Sequence, residues 1–183
     1  MEVERLDLKG LLLISPRIHG DERGFFYESY RAPILDAMGV PRFVQDNVVG
    51  SKRGVIRGLH YQKKPGQAKL VSCLQGRILD VAVDIRPDSA TRGQWRGVIL
   101  DDVARKLLFV PVGFAHGYAV LSEEALVSYK VSALYDPLEE GSIRWDDPTL
   151  RIEWPIASPL LSLRDRQAPP FDEVLYGSLG SRR

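Results

Sequence analysis

Two histidines stand where an imidazole does proton chemistry. His60 lies in Arg57-Gly58-Leu59-His60-Tyr61-Gln62, a strand-like run that sets a titratable base beside a fixed cation. His116 lies in Pro111-Val112-Gly113-Phe114-Ala115-His116-Gly117, where a Pro/Gly turn leads from one apolar run into another. Either the two share a pocket, or each is a buried histidine satisfied by a hydrogen bond. Histidine titrates near neutrality, so a positioned imidazole accepts a proton at pH 7, and such general-base help is worth about 10²–10⁴ in rate. It needs an acceptor that holds its protonated nitrogen away from the substrate. Asp84, on the polar face of its strand, and Asp165, in the turn-like Leu161-Ser162-Leu163-Arg164-Asp165, both qualify, and the residue pattern does not choose between them.

A proton taken from a carbon beside a carbonyl leaves an enolate, whose charge needs a donor in a water-poor place. Lys69, in Ala68-Lys69-Leu70-Val71, is the natural candidate, although the same pattern fits a solvated ammonium on an outer strand face. Returning the proton on the other side of the carbon needs a second acid. Tyr129, in Leu126-Val127-Ser128-Tyr129-Lys130, holds its proton at pH 7; on its own it reads as a core tyrosine with its hydroxyl at the edge. Arg23, Arg57 and Arg164 each stand near a glycine or a turn, and guanidinium forks match phosphate oxygens. Together they suggest an anionic small molecule, with neither a GxGxxG nor a GKS/T loop present.

These groups need a rigid frame, and the apolar pattern supplies β-strands. From Phe43 onward short runs follow one another between Gly/Pro/Asp turns: Phe43–Val49, Val55–Gln62, Lys69–Leu74, Ile78–Arg86, Trp95–Leu100, Lys106–Pro111, Gly117–Leu121 and Ala125–Val131. In Ile78–Arg86, Leu79, Val81, Val83 and Ile85 alternate with Asp80, Ala82 and Asp84, the period of two that a strand requires. The spacing predicts an all-β antiparallel sandwich or barrel. Before it come a strand at Leu11–Ile14, a loop carrying His19 to Gly24, a strand over Phe25–Tyr30 and a short helix over Arg31–Gly39 with Gly39 at its end. After Tyr135, frequent prolines predict an irregular C-terminal cover, and Gly177–Arg183 reads as a flexible tail on one domain spanning residues 1–176.

Composition narrows the function classes. The 183 residues carry 25 basic and 24 acidic side chains, a net charge of +1, so no global field gathers nucleic acid or an anionic membrane. The single cysteine, Cys73, lies in an apolar run, reads as a core residue, and cannot form an intrachain disulfide. With no cleavable apolar segment at the start and no run near the roughly 20 apolar residues of a membrane span, a cytoplasmic protein is expected.

A β-barrel with such histidines is similar to the cupin superfamily, many members of which hold a metal through a His-x-His pair, a glutamate and a later histidine. Here Gln62 occupies the second position of the pair and Lys69 the neighbourhood of the glutamate. Two imidazoles beside an ammonium make a poor divalent site, so no metal or other cofactor is expected.

Six motifs, in order, resemble the dTDP-4-dehydrorhamnose 3,5-epimerase family, metal-free cupins of dTDP-L-rhamnose synthesis. They are Asp21-Glu22-Arg23-Gly24-Phe25-Phe26, Phe43-Val44-Gln45-Asp46-Asn47, Arg57 to Gln62, Pro111 to Gly117, Trp145-Asp146-Asp147-Pro148 and Leu161-Ser162-x-x-Asp165. The resemblance runs from about Leu6 to Asp165 and implies a cupin-type jelly roll. It implies that His60 is the base that removes protons at C3 and C5 of dTDP-4-dehydro-6-deoxy-D-glucose, that Tyr129 is the opposing acid, and that Asp165 pairs with His60. By the same likeness Lys69 faces the C4 oxygen, Arg57 and His116 line the sugar and diphosphate site, and Gln45, Asn47, Glu140 and Arg164 match binding positions. Tyr135 matches a tyrosine that stacks on thymine. Arg23, Phe26 and Glu28 match residues that reach the nucleotide from a neighbouring subunit, because the family is a homodimer with exchanged N-terminal strands. Relatives often carry lysine where Arg164 stands, and the linker between Gln62 and Lys69 varies in length. The alternatives are a C3-only epimerase of the same fold, a 3,4-ketoisomerase, a non-catalytic sugar-nucleotide binder and a metal-dependent cupin oxygenase. The position of Gln62 speaks against the ketoisomerase, the retained base, acid and lysine against the binder, and the missing ligands against the oxygenase.

Overall fold

The period-two runs become strands in a computed structural model that describes residues 1–173. In chain order the elements are β1 (Glu2–Arg5), β2 (Leu12–Ser15), β3 (Ile18–Asp21), β4 (Gly24–Tyr27), α1 (Ala32–Asp36), β5 (Gln45–Lys52), β6 (Ile56–Gln62), β7 (Lys69–Gln75) and β8 (Arg77–Asp84). They continue with β9 (Trp95–Asp101), β10 (Leu107–Val110), β11 (Phe114–Val120), β12 (Glu124–Val131), β13 (Glu140–Ser142) and α2 (Leu163–Arg166). One sheet runs β1-β2-β10-β7-β12-β5 and the other β13-β6-β11-β8-β9, while β3 and β4 form a hairpin of their own. The sheet neighbours are antiparallel, as in β12 against β7 and β11 against β8. This is the all-β antiparallel sandwich expected from the spacing, in the cupin-type form that the family resemblance implies. The expected tail at Gly177–Arg183 lies outside the described residues.

Burial divides the apolar side chains by strand face. Leu13, Val71, Cys73, Ile78, Ala82, Phe114 and Val127 fill the space between the sheets. Leu12, Ile14, Leu70 and Phe109 point the other way and are covered by Leu35 of α1 and by Val40. α1 is only five residues long, has no side-chain cap at Arg31, and depends on this packing for its existence. On the back of the second sheet, Leu59, Tyr61, Val81, Val83 and Ile85 lie beneath Ile143, Leu150 and Phe171. The C-terminal cover therefore hides a whole sheet face. Asp147 stitches it together by accepting from the backbone N–H groups of Thr149, Leu150 and Phe171.

Several expectations need correction. His19 to Asp21 form β3 rather than a loop, because Asp21 to Gly24 close a tight hairpin. β1 had no apolar signal and exists through its ladder with β2. β11 begins at Phe114, so His116 is in the strand and not in the turn before it. The polar face of β8 is the interior one: Asp80 and Asp84 are both 0% exposed, beside Ile78 and Ala82. Alternation separates two faces without saying which is solvated, and here the cover buries the apolar one.

Asp84 is kept ionised by dense hydrogen bonding. It accepts from Arg86 Nε at 2.8 Å, Arg86 Nη2 at 2.6 Å, Ser89 Oγ at 2.6 Å and Thr91 Oγ1 at 2.6 Å. Burial pushes its acidity the other way, but the bonds from Arg86, Ser89 and Thr91 win and pull it down to about 2. Its lone pairs are spent on this knot, so it does not orient a histidine.

The centre of the second sheet depends on missing side chains. A Cβ on Gly117 would meet the Arg57 carbonyl oxygen at 2.7 Å, and one on Gly58 would meet Gly117 Cα at 2.5 Å. The β6–β11 register shifts between His116 and Tyr118, beside this close approach, while His116 stays opposite His60. Backbone in contact with backbone cannot yield as a flexible side chain does. Gly117→Ala is therefore expected to lower stability by about 1–3 kcal/mol, the usual cost of overpacking. Denaturant unfolding measures it, and an unchanged midpoint would refute the tight approach.

Candidate active site

The end of the sandwich holding His60 gathers groups from both sheets and from the cover. On β6, Leu59 and Tyr61 are committed to the apolar layer behind the sheet, which leaves His60 on the opposite face. Its Nε2 lies 2.6 Å from Asp165 Oδ1, with the histidine side chain 27% exposed and the aspartate 4%. The imidazole reaches toward solvent while its carboxylate partner stays inside. Asp165 sits in α2, whose N-cap Ser162 accepts from the Asp165 N–H. Burial pushes the pKa of Asp165 up, but the bond and charge of His60 outweigh it and hold the group below the ordinary carboxylate range. An ionised carboxylate only accepts, so the proton between them resides on His60 Nε2 and Nδ1 carries the free lone pair. The choice between Asp84 and Asp165 is thus resolved by contact.

His116 has its own carboxylate. Nε2 lies 2.9 Å from both oxygens of Asp80, and the pair is buried, opposite His60 in the ladder. The two sequence alternatives are both realised: the histidines neighbour each other, and each is satisfied by an aspartate. Asp80 escaped the sequence reading, although a lone carboxylate flanked by Leu79 and Val81 was a visible signal.

Lys69 and Tyr129 come from the opposite sheet. In β7, Lys69 shares its face with Val71 and Cys73 of the interior layer, which overturns the outer-face reading. Burial pulls its ammonium down to about 8, against the opposing pull of Glu140 and Asp80. Tyr129 packs against the same interior layer, and its phenol is pushed upward by burial, with Arg57 pulling it back. It is therefore protonated at neutral pH. Glu140, on β13, feels the charge of His60 and in turn acts on Lys69 and Tyr129. His60, Lys69 and Tyr129 thus all lie within electrostatic reach of one carboxylate.

The rim is built on Glu140. It accepts from the Tyr135 hydroxyl at 2.7 Å and from Arg164 Nη1. Burial pushes Glu140 up, but Arg164 and Tyr135 prevail and keep it below its ordinary range. Arg57 donates to Ser51 Oγ at 3.0 Å and lies close enough to act on Tyr129. Gln45 and Asn47 are joined side chain to side chain at 2.9 Å on β5, next to Val131 and Tyr129 of β12. Arg23, Phe26 and Glu28 are elsewhere: they belong to the β3–β4 hairpin and the segment after it, Arg23 is closed on Asp21 at 2.5 Å, and Phe26 is 66% exposed.

Gln62 explains the chemistry by what it does not offer. Its Nε2 donates to the Leu134 carbonyl at 3.2 Å and its Oε1 accepts from the Asp136 N–H at 3.1 Å, so both ends of the amide are spent on backbone. Among the described residues no three of His, Cys, Asp and Glu come together. Surface hollows lie between Gly50 and Leu126 and along the β3–β4 hairpin, but neither holds a histidine bonded to a carboxylate. No helix among the described residues is long and apolar enough to cross a membrane.

A cupin-type sandwich with an oriented imidazole facing an ammonium and a phenol defines an acid–base enzyme of the isomerase kind. The description "dTDP-4-dehydrorhamnose 3,5-epimerase" matches residues 5–173, and the chain belongs to that family, isomerases acting on dTDP-sugars. It is 47% identical over 177 residues to the dTDP-4-dehydrorhamnose 3,5-epimerase of Pseudomonas aeruginosa, covering 95% of this chain and 98% of the relative. It is 42% identical over 171 residues to a dTDP-4-dehydrorhamnose 3-epimerase of Streptomyces niveus, covering 92% and 83%. Among solved structures, dTDP-6-deoxy-D-glucose-3,5-epimerase from Legionella pneumophila Philadelphia 1, in complex with dTDP-4-keto-L-rhamnose, superimposes with a TM-score of 0.91 at 46% identity over 94% of each chain.

Lys69 yields a signed prediction. Its folded value, about 8, lies below the free lysine value of 10.5, so the unfolded chain binds more protons between those limits and stability rises with pH across that window. Below it the buried ammonium costs on the order of 3 kcal/mol. Lys69→Met is expected to be more stable than the parent at pH 7, with the gap closing between pH 8 and 10.5. Urea unfolding at pH 7 and pH 10 tests this, and a variant weaker at both would sink it.

Proposed function

We propose that the chain is a dTDP-4-dehydrorhamnose 3,5-epimerase that inverts dTDP-4-dehydro-6-deoxy-D-glucose at C3 and C5 in dTDP-L-rhamnose biosynthesis. The observation that carries this reading is the His60–Asp165 bond of 2.6 Å on one sheet, facing Lys69 and Tyr129 on the other. His60 Nδ1 takes the proton from C3, the C3–H electrons form the C3–C4 double bond, and the negative charge moves onto the C4 oxygen. Lys69 meets that oxygen with its ammonium, which a low-dielectric setting makes more effective. Tyr129 returns a proton to C3 from the opposite face, solvent resets the imidazolium and the phenolate, and the cycle repeats at C5. No metal or other cofactor has a role in this sequence.

Arg57, His116, Arg164, Glu140, Gln45 and Asn47 bind the sugar and diphosphate, and Tyr135, whose ring is 54% exposed while its hydroxyl is tethered, offers a face to the base. The hairpin supports a homodimer: among the described residues β3 and β4 pair only with each other, and Phe25 is 56% exposed. In the dimer, Arg23, Phe26 and Glu28 extend to a neighbouring nucleotide through exchange of N-terminal strands. Such an enzyme works in the cytoplasm, where nucleotide sugars are made. The 42% identity to a 3-epimerase supports a second reading, inversion at C3 alone.

Incubation with the keto-sugar in D₂O separates the two. Deuterium at C3 and C5 is expected, deuterium at C3 alone selects the second reading, and none at either position overturns both. His60→Ala and Tyr129→Phe are each expected to lower kcat about 10²-fold or more. Exchange at the parental rate in His60→Ala would remove His60 as the base. Activity is also expected to fall as pH rises through about 8, where Lys69 loses its charge, and a rate flat to pH 10 would exclude its role on the C4 oxygen.

A further inference from the structure

The segment between β12 and β13 carries Tyr135 and belongs to no strand, yet four successive residues of its backbone are each tied to a glutamine side chain. Gln67 Nε2 donates to the Ala133 carbonyl at 2.9 Å and Gln62 Nε2 to the Leu134 carbonyl at 3.2 Å. Gln45 Oε1 accepts from the Tyr135 N–H at 3.2 Å and Gln62 Oε1 from the Asp136 N–H at 3.1 Å. Gln62 is 4% exposed, so its amide has no competing water and grips the chain on both sides of Tyr135. The side chains above this backbone are open: Leu134 is 66% exposed, Tyr135 54% and Leu138 87%. A tethered backbone beneath an exposed ring and two exposed leucines is a platform for a flat apolar group.

We propose that Gln62, with Gln45 and Gln67, is a positioning residue that holds the 133–136 segment ready for the nucleobase, and so sets affinity for the nucleotide half of the substrate without taking part in proton transfer. The inference rests on the reading of Tyr135 as the residue under the base. A segment that must be ordered during binding lowers affinity by the cost of ordering it, and a preordered one escapes that cost. His60 shares β6 with Gln62 but is held by its own bond to Asp165, and Asp165 and Lys69 lie on α2 and β7, so the effect is confined to binding. The amide is needed at this position because one side chain must donate to a carbonyl and accept from an N–H two residues later. A carboxylate supplies only the second and a methionine neither.

Calorimetric titration with dTDP and steady-state rates with the keto-sugar test this in Gln62→Met, Tyr135→Ala and the double variant. Gln62→Met is expected to weaken dTDP about tenfold and raise KM in step, with kcat within about twofold. The double variant should bind dTDP no more weakly than Tyr135→Ala alone, because the grip acts through the ring. Gln62→Glu, retaining the acceptor, should lie between the parent and Gln62→Met. If Gln62→Met does not fold, Gln67→Met removes the neighbouring tie and is expected to shift dTDP affinity in the same direction. If Tyr135→Ala leaves dTDP affinity unchanged, the reading of Tyr135 fails. If Tyr135→Ala weakens dTDP but the glutamine variants do not, or their effects simply add, the positioning role fails while Tyr135 stands.

Discussion

Ionised groups inside a protein must be compensated where they stand, and that requirement organises this sandwich. Each buried carboxylate has dedicated donors: Asp80 has His116, Asp165 has His60, Asp84 has Arg86 with two hydroxyls, and Asp147 has three backbone N–H groups. The strongly bonded Asp84 makes a fixed point on β8, and the His116–Asp80 pair locks β11 to β8 a few residues away. β11 in turn carries β6 through the close glycine approach. The pose of His60 is the last link of a chain of satisfied charges, with cover residue Asp165 closing it. Lys69 is the contrast: among the described residues it makes no ion pair, and burial first and the charge of Arg164 second pull its ammonium down.

The outline of this arrangement was legible before the fold was seen, and the omissions have physical causes. Alternation in Ile78–Arg86 announced a strand, but period two is blind to which face meets solvent, so it did not reveal that Asp80 and Asp84 lie inside the sandwich. The placement of Lys69 was undecidable for the same reason. His60 and His116 were visible as bases from their surroundings, whereas the bond between His60 and Asp165 spans 105 residues and no local pattern encodes it. Only the family resemblance singled out that pairing beforehand. Gln62 was noticed as an absent metal ligand; its grip on the Tyr135 segment depends on tertiary contact and left no trace in spacing.

The hairpin β3–β4 and helix α1 show the opposite failure. Arg31–Gly39 carried enough helical pattern to be recognised, yet Pro33 near its start and the uncapped Arg31 leave just five helical residues. β3 reads as polar turn because every residue in it is exposed, and a strand without a buried face has no hydrophobic alternation. Local signals report burial, and the hairpin is barely buried within one chain, while α1 buries little beyond Leu35.

The late position of α2 has a consequence for how the chain is divided. The twelve strands that make up most of both sheets and the hairpin are complete by Val131, while Asp165 arrives 34 residues later, on a short helix outside the sheets. The strands of the sandwich and the carboxylate bonded to His60 therefore lie in separate stretches of the sequence, and a chain cut after Val131 would hold every strand but β13 while lacking the residue that orients His60.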